Sequence, residues 1–149
     1  MISHTYTSPL GPITITESEG AITGLIFGET PDSCTPPTAL LSEAVRQLQE
    51  YFSGRRKEFS LPVFPAGTAF QRAVWQILLT IPYGKTCSYG DIAAMIGRPT
   101  AVRAAAQAIG HNPISILIPC HRVIGKDGSL TGYAWGISIK EQLLKLEQT

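Results

Sequence analysis

The feature that most constrains this chain is an apolar run that ends at a proline, followed by a cysteine and a histidine. The run covers residues 114–118, with Ser115 as its only polar member, and predicts a short buried strand. Pro119 ends the run, because proline lacks a backbone donor and has a fixed φ. Cys120 is therefore expected at the end of a buried element, with the base His121 directly after it. A thiol beside a base is a candidate nucleophile.

Residues that are adjacent in sequence rarely face each other in a strand or a helix. His121 therefore needs a bridging water, or a sharp turn at this point, to take the proton of Cys120. The alternative interpretation is a buried, inert cysteine, which is the usual state of this residue after an apolar run. The surrounding sequence decides between the two.

Composition limits the class of protein. The chain has 149 residues, 44% of them hydrophobic, which suits one domain or two small lobes with a core. The net charge of +1 predicts no global attraction to nucleic acid, so any DNA site must be a local patch. The 3 cysteines and 3 histidines show neither a zinc-site spacing nor a closed disulfide framework. We expect free thiols in a reducing compartment, no metal and no cofactor.

The sequence predicts no membrane association. Its N-terminus lacks a basic segment followed by an apolar one, so no signal peptide is expected. No apolar run is long enough to span a bilayer. The expected location is cytoplasmic, or nuclear in a eukaryote.

Residues 1–62 are predicted to form an α/β lobe. Alternating polar and apolar residues predict three strands, over residues 4–7, 14–16 and 21–27. A loop rich in proline, threonine and serine follows at 29–38. Ser42 is the expected N-cap of a helix that ends at Gly54. The segment 61–67, with its prolines, predicts a linker.

Residues 63–149 are predicted to form a helical lobe. Capping signals predict four helices in this lobe. Thr68 with Gln71 precedes a helix over 69–80, and Ser88 with Asp91 precedes one over 89–96. Thr100 precedes a helix over 101–109, and Ser138 with Glu141 precedes a terminal helix. The second and third of these helices, joined by residues 97–99, form a helix-turn-helix pattern. The third helix is rich in alanine, which permits close approach to DNA, and Arg103 stands near its start, where such proteins place contact residues.

Several short motifs of this second part occur together in a specific order. They are Phe70-Gln71, Val74-Trp75, Ile81-Pro82-Tyr83-Gly84, Ser88-Tyr89, Arg103, Asn112-Pro113, Pro119-Cys120-His121-Arg122-Val123, Gly132-Tyr133 and Leu143-Leu144-Lys145-Leu146-Glu147. With them the sequence resembles the methylated-DNA–protein-cysteine methyltransferases, which repair 6-O-alkylguanine, over about residues 68–147. The resemblance implies an α/β two-lobed fold, with an N-terminal ribonuclease-H-like β-sheet lobe that carries a helix. The C-terminal lobe is helical and contains a helix-turn-helix.

The same resemblance implies a reaction and roles for single residues. The alkyl group passes from 6-O-methylguanine in duplex DNA to Cys120, directly and once per molecule, and 4-O-methylthymine is a second candidate substrate. His121 takes the thiol proton through a water, and Glu147 stabilises the imidazolium. Asn112 braces the turn that presents the cysteine, and Tyr89 donates to the flipped guanine.

The expected partner is double-stranded DNA that contains an alkylated guanine, bound by a monomer in the minor groove. Arg103 is expected to fill the gap left by the extruded base. The implied DNA-binding residues are Arg103, Thr100, Ala101, Ala104, Tyr89 and Arg122. The implied lining of the substrate pocket is Tyr133, Ala134, Trp135, Ser115, Val123 and Lys140.

Two residues of this pocket depart from the family pattern. Trp135 stands where many members carry glycine, and Ser115 stands where several carry proline. An indole fills space and a serine removes a rigid apolar wall, so we expect a bulky benzyl group to be disfavoured and methyl to be accepted.

Two other function classes remain open from the residues alone. A cysteine hydrolase predicts repeated turnover on a small ester or peptide. A non-catalytic helix-turn-helix regulator predicts sequence-specific DNA binding that does not depend on Cys120.

Overall fold

The structure is a computed structural model that describes residues 1–130 and 132–148. The chain divides into two compact units, Met1–Pro65 and Ala66–Thr149. This division falls within the predicted linker 61–67, close to the predicted boundary after residue 62. No helix over the described residues is both long and apolar enough to cross a bilayer.

The first unit consists of an antiparallel sheet and a helix. The strands β1 (Ile2–Ser8), β2 (Gly11–Ser18) and β3 (Ala21–Phe27) lie in the order β1-β2-β3. Between β2 and β3, Glu19 and Gly20 have φ values of 51° and 80°, the positive values that a two-residue hairpin turn of type I′ requires. The strands β2 and β3 therefore form a hairpin.

Helix α1 (Ala39–Phe52) packs against β1 and β2. The prediction that Ser42 caps it is wrong, because the Thr38 hydroxyl accepts a hydrogen bond from the backbone N–H of Leu41 at 3.2 Å. Ser42 lies inside the first turn, where its own N–H donates to the Thr38 carbonyl. The helix buries an apolar stripe that consists of Leu41, Ala44, Leu48 and Tyr51.

The second unit is mainly helical. Its elements are α2 (Ala69–Leu78), β4 (Cys87–Ser88), α3 (Tyr89–Met95), α4 (Val102–Gly110), a 3₁₀ turn (Cys120–Arg122), β5 (Val123–Ile124) and α5 (Ile137–Glu147). The predicted capping boxes before α2 and α3 are both confirmed. The short strands β4 and β5 pair in parallel. The indole N–H of Trp75, on α2, donates to the Ala108 carbonyl of α4 at 2.8 Å in the core, which ties these helices together.

The predicted caps of α4 and α5 are wrong. The N-cap of α4 is Ala101, and no side chain caps it, so Thr100 lies one residue too early. The N-cap of α5 is Gly136, whose φ of 103° suits glycine, and Ser138 lies within the first turn. Among the leucines of α5, Leu143 is fully buried, whereas Leu144 and Leu146 are partly exposed.

The apolar run 114–118 is buried as predicted, but it is a turn and not a strand. The Ile118 N–H donates to the Ile114 carbonyl at 3.0 Å, which curls the segment back on itself. Ile116 has a φ of 71°, a costly conformation for a β-branched residue. Periodicity cannot separate a buried strand from a buried turn in so short a run.

Candidate active site

Cys120 opens the 3₁₀ turn directly after the buried segment, and only 6% of its surface is exposed. The segment is braced by Asn112, whose side-chain amide donates to the Ile118 carbonyl at 2.8 Å. The Asn112 side-chain oxygen accepts from the Ile114 N–H at 3.0 Å. One side chain therefore joins the two ends of the segment and holds the backbone that presents the thiol.

His121 is fully buried and its ring contacts the carboxylate of Glu147, with Nε2 and Oε2 2.7 Å apart. A carboxylate only accepts hydrogen bonds, so Nε2 carries the proton and Nδ1 keeps its lone pair. Nδ1 is buried and has no hydrogen-bond partner among the described residues. This nitrogen is therefore the one available to accept a proton.

Arg122 donates hydrogen bonds to both oxygens of the Glu147 carboxylate. Its Nε donates to Glu147 Oε1 at 2.8 Å and its Nη2 donates to Oε2 at 3.1 Å. Its third group, Nη1, donates to the carbonyl of Ile81 at 2.7 Å. A guanidinium in a two-point contact keeps Glu147 ionised, so the negative charge beside His121 is fixed.

Burial sets the resting protonation of the nucleophile and the base. It raises the pKa of the Cys120 thiol, and the Asn112 amide and the Lys140 ammonium oppose the rise only in part. It lowers the pKa of the His121 imidazole, against the effect of Glu147. At neutral pH the pair therefore rests as a thiol and a neutral imidazole.

A small cavity lies beside the thiol. Its lining consists of Ile109, Gly110, Asn112, Ser115, Cys120, Gly132, Tyr133 and Ala134. Its volume of about 10 Å³ gives room for about one water molecule. The cavity therefore joins three of the implied pocket residues, Tyr133, Ala134 and Ser115, to the candidate nucleophile.

Tyr89 begins α3 and is half-buried. A Cβ added to Gly132 would lie 3.3 Å from the Tyr89 hydroxyl, so this hydroxyl sits against the segment that lines the cavity. Lys140 is almost fully buried, and its Nζ lies 5.8 Å from the centroid of the Tyr89 ring. A donor and a cation therefore lie close to the cavity, although neither lines it.

The remaining residues of the implied pocket lie elsewhere. Val123 is fully buried and pairs with Cys87 between β5 and β4, so it belongs to the core. Trp135 is not part of the cavity lining; its indole N–H donates to the Ser115 hydroxyl at 2.8 Å. The indole therefore contacts the cavity wall at Ser115.

Four of the six implied DNA contacts lie at the start of α4, whereas Tyr89 begins α3 and Arg122 ends the 3₁₀ turn. Thr100, Arg103 and Ala104 are exposed, and Ala101 is half-buried. The family resemblance implied Arg122 as a DNA contact, but the structure places its guanidinium on Glu147 and Ile81 in the interior. The only sequence signal for this role is its position directly after the Cys-His pair, which does not reveal the distant carboxylate.

Among residues 1–130 and 132–148, no three side chains of His, Cys, Asp or Glu form a group that could hold a metal ion. The described cysteines 34, 87 and 120 are all free thiols. The groups that the site offers for chemistry include a thiol, an imidazole and a carboxylate.

Two family models together cover nearly the whole chain. The ribonuclease-like domain of 6-O-methylguanine DNA methyltransferase matches residues 1–65, and the DNA binding domain of the same family matches residues 69–149. The chain belongs to the 6-O-methylguanine DNA methyltransferase family. The predicted family and its ribonuclease-like first lobe are thereby confirmed.

Relatives in this family match over nearly their full length. A methylated-DNA–protein-cysteine methyltransferase of Methanosarcina barkeri is 49% identical over 147 residues, which cover 95% of this chain and 93% of that protein. The constitutive enzyme of Bacillus subtilis is 47% identical over 154 residues, with 97% and 93% covered. A crystal structure of Mycobacterium tuberculosis OGT in complex with DNA has a TM-score of 0.90 and 48% identity, and covers 99% of this chain and 93% of that one.

Proposed function

We propose that this chain repairs DNA by transferring the methyl group of 6-O-methylguanine in duplex DNA to Cys120, once per molecule. The observation that carries the proposal is the arrangement behind the thiol. Cys120 faces the cavity, and the neighbouring His121 has an unpaired Nδ1 and a Glu147 carboxylate on Nε2. The names of the relatives support the same reaction.

The reaction begins with a proton transfer. A water between the two residues passes the Cys120 proton to Nδ1 of His121, and Glu147 stabilises the imidazolium that forms. The low dielectric of the buried site strengthens this ion pair. Arg122 keeps the carboxylate ionised throughout.

The thiolate then attacks the methyl carbon in line with the bond to the guanine oxygen. The new S–C bond forms as the C–O bond breaks, and the electron pair of that bond leaves with the base. The Tyr89 hydroxyl donates to the base and stabilises its charge, which a proton from solvent finally neutralises. The imidazolium returns its proton to solvent, so the net change is a thioether on the protein and an ordinary guanine in the DNA.

Access to the methyl group requires the base to leave the helical stack. Helices α3 and α4, joined by residues 96–101, act as a helix-turn-helix that binds the minor groove without reading sequence. The alanine-rich start of α4 permits close approach, and the exposed Arg103 fills the gap in the stack. The structure of the Mycobacterium tuberculosis relative in complex with DNA supports duplex DNA as the partner.

We infer further that the protein acts as a monomer on alkylated guanine. Each chain carries its own nucleophile, base and cavity, so a second copy is not required for chemistry. Its DNA substrate and its free thiols fit a reducing compartment that contains DNA, such as the cytoplasm of a bacterium or archaeon or the nucleus of a eukaryote.

Mass spectrometry after mixing with a duplex that contains one 6-O-methylguanine tests the proposal. One methyl group is expected on the peptide that contains Cys120, and repair stops when one lesion per protein has been consumed. Cys120→Ala should lose transfer, whereas Cys87→Ala should keep it. Repeated turnover, or a methyl group on Cys34 or Cys87, would overturn the proposal, and turnover on small esters would indicate a hydrolase.

A further inference from the structure

Two hydroxyl groups in the wall of the cavity are not accounted for by methyl transfer. They belong to Ser115 and Tyr133, which line the cavity together with Cys120. A methyl group has no polar atom beyond its carbon, so neither hydroxyl has a partner in that reaction. Hydroxyls buried in a protein interior are normally paired.

The Tyr133 hydroxyl is buried and has no hydrogen-bond partner among the described residues. Burial raises the pKa of this phenol, and the Cys120 side chain adds to the rise. The group therefore remains protonated at neutral pH and keeps a proton to donate. An unpaired buried donor is costly, and a ligand that offers an acceptor removes that cost.

The Ser115 hydroxyl is held in one orientation. Only 1% of the residue is exposed, and its oxygen accepts the indole N–H of Trp135 at 2.8 Å. Because that contact uses a lone pair of the oxygen, the Ser115 proton remains available for donation. The Ser115 hydroxyl also opposes the rise in the pKa of the Tyr133 phenol as a neighbouring hydrogen-bonding group, although the two hydroxyls do not reach hydrogen-bond geometry with each other. The two donors therefore form one polar patch, Ser115–Tyr133, on the wall beside the thiol.

The size of the cavity directs any longer substituent against this patch. A volume of about 10 Å³ accommodates about one water molecule. A substituent with a second and a third heavy atom must therefore press against the walls, two of whose side chains present hydroxyl donors.

We propose that the Ser115–Tyr133 patch makes this site favour 6-O-alkyl groups that carry a hydrogen-bond acceptor beyond the first carbon, such as 2-hydroxyethyl, over apolar groups of equal length. The preference rests on the proposed function and concerns its substrate class. The reacting bonds are those of methyl transfer: the Cys120 sulfur binds the CH₂ carbon as the bond to the guanine oxygen breaks. The terminal hydroxyl takes no part in bond exchange and only accepts from the patch.

The experiment compares single-turnover transfer from duplexes that contain 6-O-methylguanine, 6-O-(2-hydroxyethyl)guanine or 6-O-n-propylguanine. The hydroxyethyl group ends in a hydroxyl where the propyl group ends in a methyl, so the two substituents have the same number of heavy atoms and similar size. The native protein should transfer hydroxyethyl about fivefold to tenfold faster than propyl, the effect of one additional hydrogen bond. Tyr133→Phe and Ser115→Ala should each bring this ratio towards one, whereas Tyr6→Phe, in the first unit, should leave it unchanged.

A thermal melt of each variant shows that it is folded, and methyl transfer by the native protein separates the two proposals. Intact methyl transfer with a native ratio near or below one overturns the preference alone. A native ratio that persists in both Tyr133→Phe and Ser115→Ala also overturns the assignment to the patch. Absence of methyl transfer by the native protein overturns the proposed function and the preference with it.

Discussion

At the scale of single residues, the carboxylate of Glu147 is shared between a base and a permanent cation. Its Oε2 lies 2.7 Å from His121 Nε2, while Arg122 donates to both of its oxygens at 2.8 and 3.1 Å. The guanidinium alone would leave the imidazole neutral, but the carboxylate between them favours a proton on the ring. Burial opposes that proton, since it lowers the pKa of His121. Charge on the imidazole is therefore expected only when the thiolate forms.

Replacing this carboxylate with an amide should make the thiol harder to ionise. In Glu147→Gln the imidazolium loses its counter-charge, so the pKa of Cys120, already raised by burial, should rise further. A hydrogen bond to a charged group contributes about 1.5–3 kcal/mol, which corresponds to a shift of about one to two pH units. The rate of thiol alkylation by iodoacetamide as a function of pH measures the shift.

The matched control is Glu141→Gln, an exposed position on the same helix, α5, which should leave the profile unchanged. A thermal melt of each variant establishes that the fold is intact. An unchanged profile in folded Glu147→Gln would show that His121 and Glu147 are not coupled to the thiol.

The residues of the site were predictable to different degrees. The Cys-His dipeptide predicted the nucleophile and the base that we propose, and their adjacency predicted either a bridging water or a sharp turn between them. Glu147 lies 26 residues from His121, so only the family resemblance connected it. The resemblance placed Arg122 on the DNA, whereas the structure buries it; charged residues are normally exposed, so a buried arginine is recognised only once its partner is known.

At the scale of elements, Arg122 joins three segments of the second unit. It extends from the 3₁₀ turn to Glu147 at the end of α5 and to the carbonyl of Ile81 after α2. Both oxygens of the carboxylate and one backbone carbonyl depend on this side chain. The ion pair between Arg122 and Glu147 is buried. Removal of the guanidinium therefore leaves the Glu147 carboxylate in the interior without a compensating charge.

We therefore expect Arg122→Met to destabilise the second unit by about 3–5 kcal/mol, the usual consequence of breaking a buried ion pair. Urea unfolding followed by tryptophan fluorescence measures this, because both tryptophans, Trp75 and Trp135, lie in that unit. The control Arg72→Met, on the exposed face of α2, should change stability by less than about 0.5 kcal/mol. Equal effects of the two substitutions would contradict a structural role for the buried pair.

Helix α4 permits a prediction about DNA that is separate from chemistry. Arg103 is exposed near its start, and as an inserted side chain it offsets part of the cost of unstacking the target base. Arg103→Ala should slow repair in duplex DNA by about 10- to 100-fold, because unstacking costs a few kcal/mol. Transfer from the free base 6-O-methylguanine needs no unstacking and should be little affected.

The test compares the rates of transfer from duplex DNA and from the free base. Arg98→Ala, in the turn before α4, is the control for the loss of a nearby positive charge. Equal slowing of Arg103→Ala on the duplex and on the free base would indicate a role in folding and not in the duplex.

Element boundaries show where pattern reasoning fails. The starts of α2 and α3 were predictable because each carries a capping box of two reciprocal side chains, Thr68 with Gln71 and Ser88 with Asp91. The start of α4 has no side-chain cap, and α5 begins after a glycine, so neither leaves such a signal. The buried segment 114–118 became a turn because Asn112 satisfies its end groups, an interaction that hydrophobic periodicity does not encode.

At the scale of the whole molecule, the charge is almost balanced. With 12 basic and 11 acidic side chains, no long-range field draws the protein to DNA, so binding must come from a local surface, which we propose to be the one around α4. Phosphate contacts there give affinity without sequence information.

The division into an N-terminal sheet unit and a C-terminal helical unit was predictable because the linker composition and the helix signals differ on its two sides.

The last prediction separates a repair protein from a regulator by its binding behaviour. Cys120→Ala cannot transfer methyl groups, so its equilibrium affinity for DNA can be measured without consumption of the lesion. Because phosphate contacts dominate, it should bind unmethylated duplexes of unrelated sequence with dissociation constants within about threefold of one another. Its affinity should fall steadily with salt, by a slope of about −0.9 per phosphate neutralised. Fluorescence anisotropy with several labelled duplexes at increasing salt measures both quantities. A preference of a hundredfold or more for one unmethylated sequence would favour a sequence-specific regulator, because base contacts discriminate by about 1–3 kcal/mol for each mismatched pair.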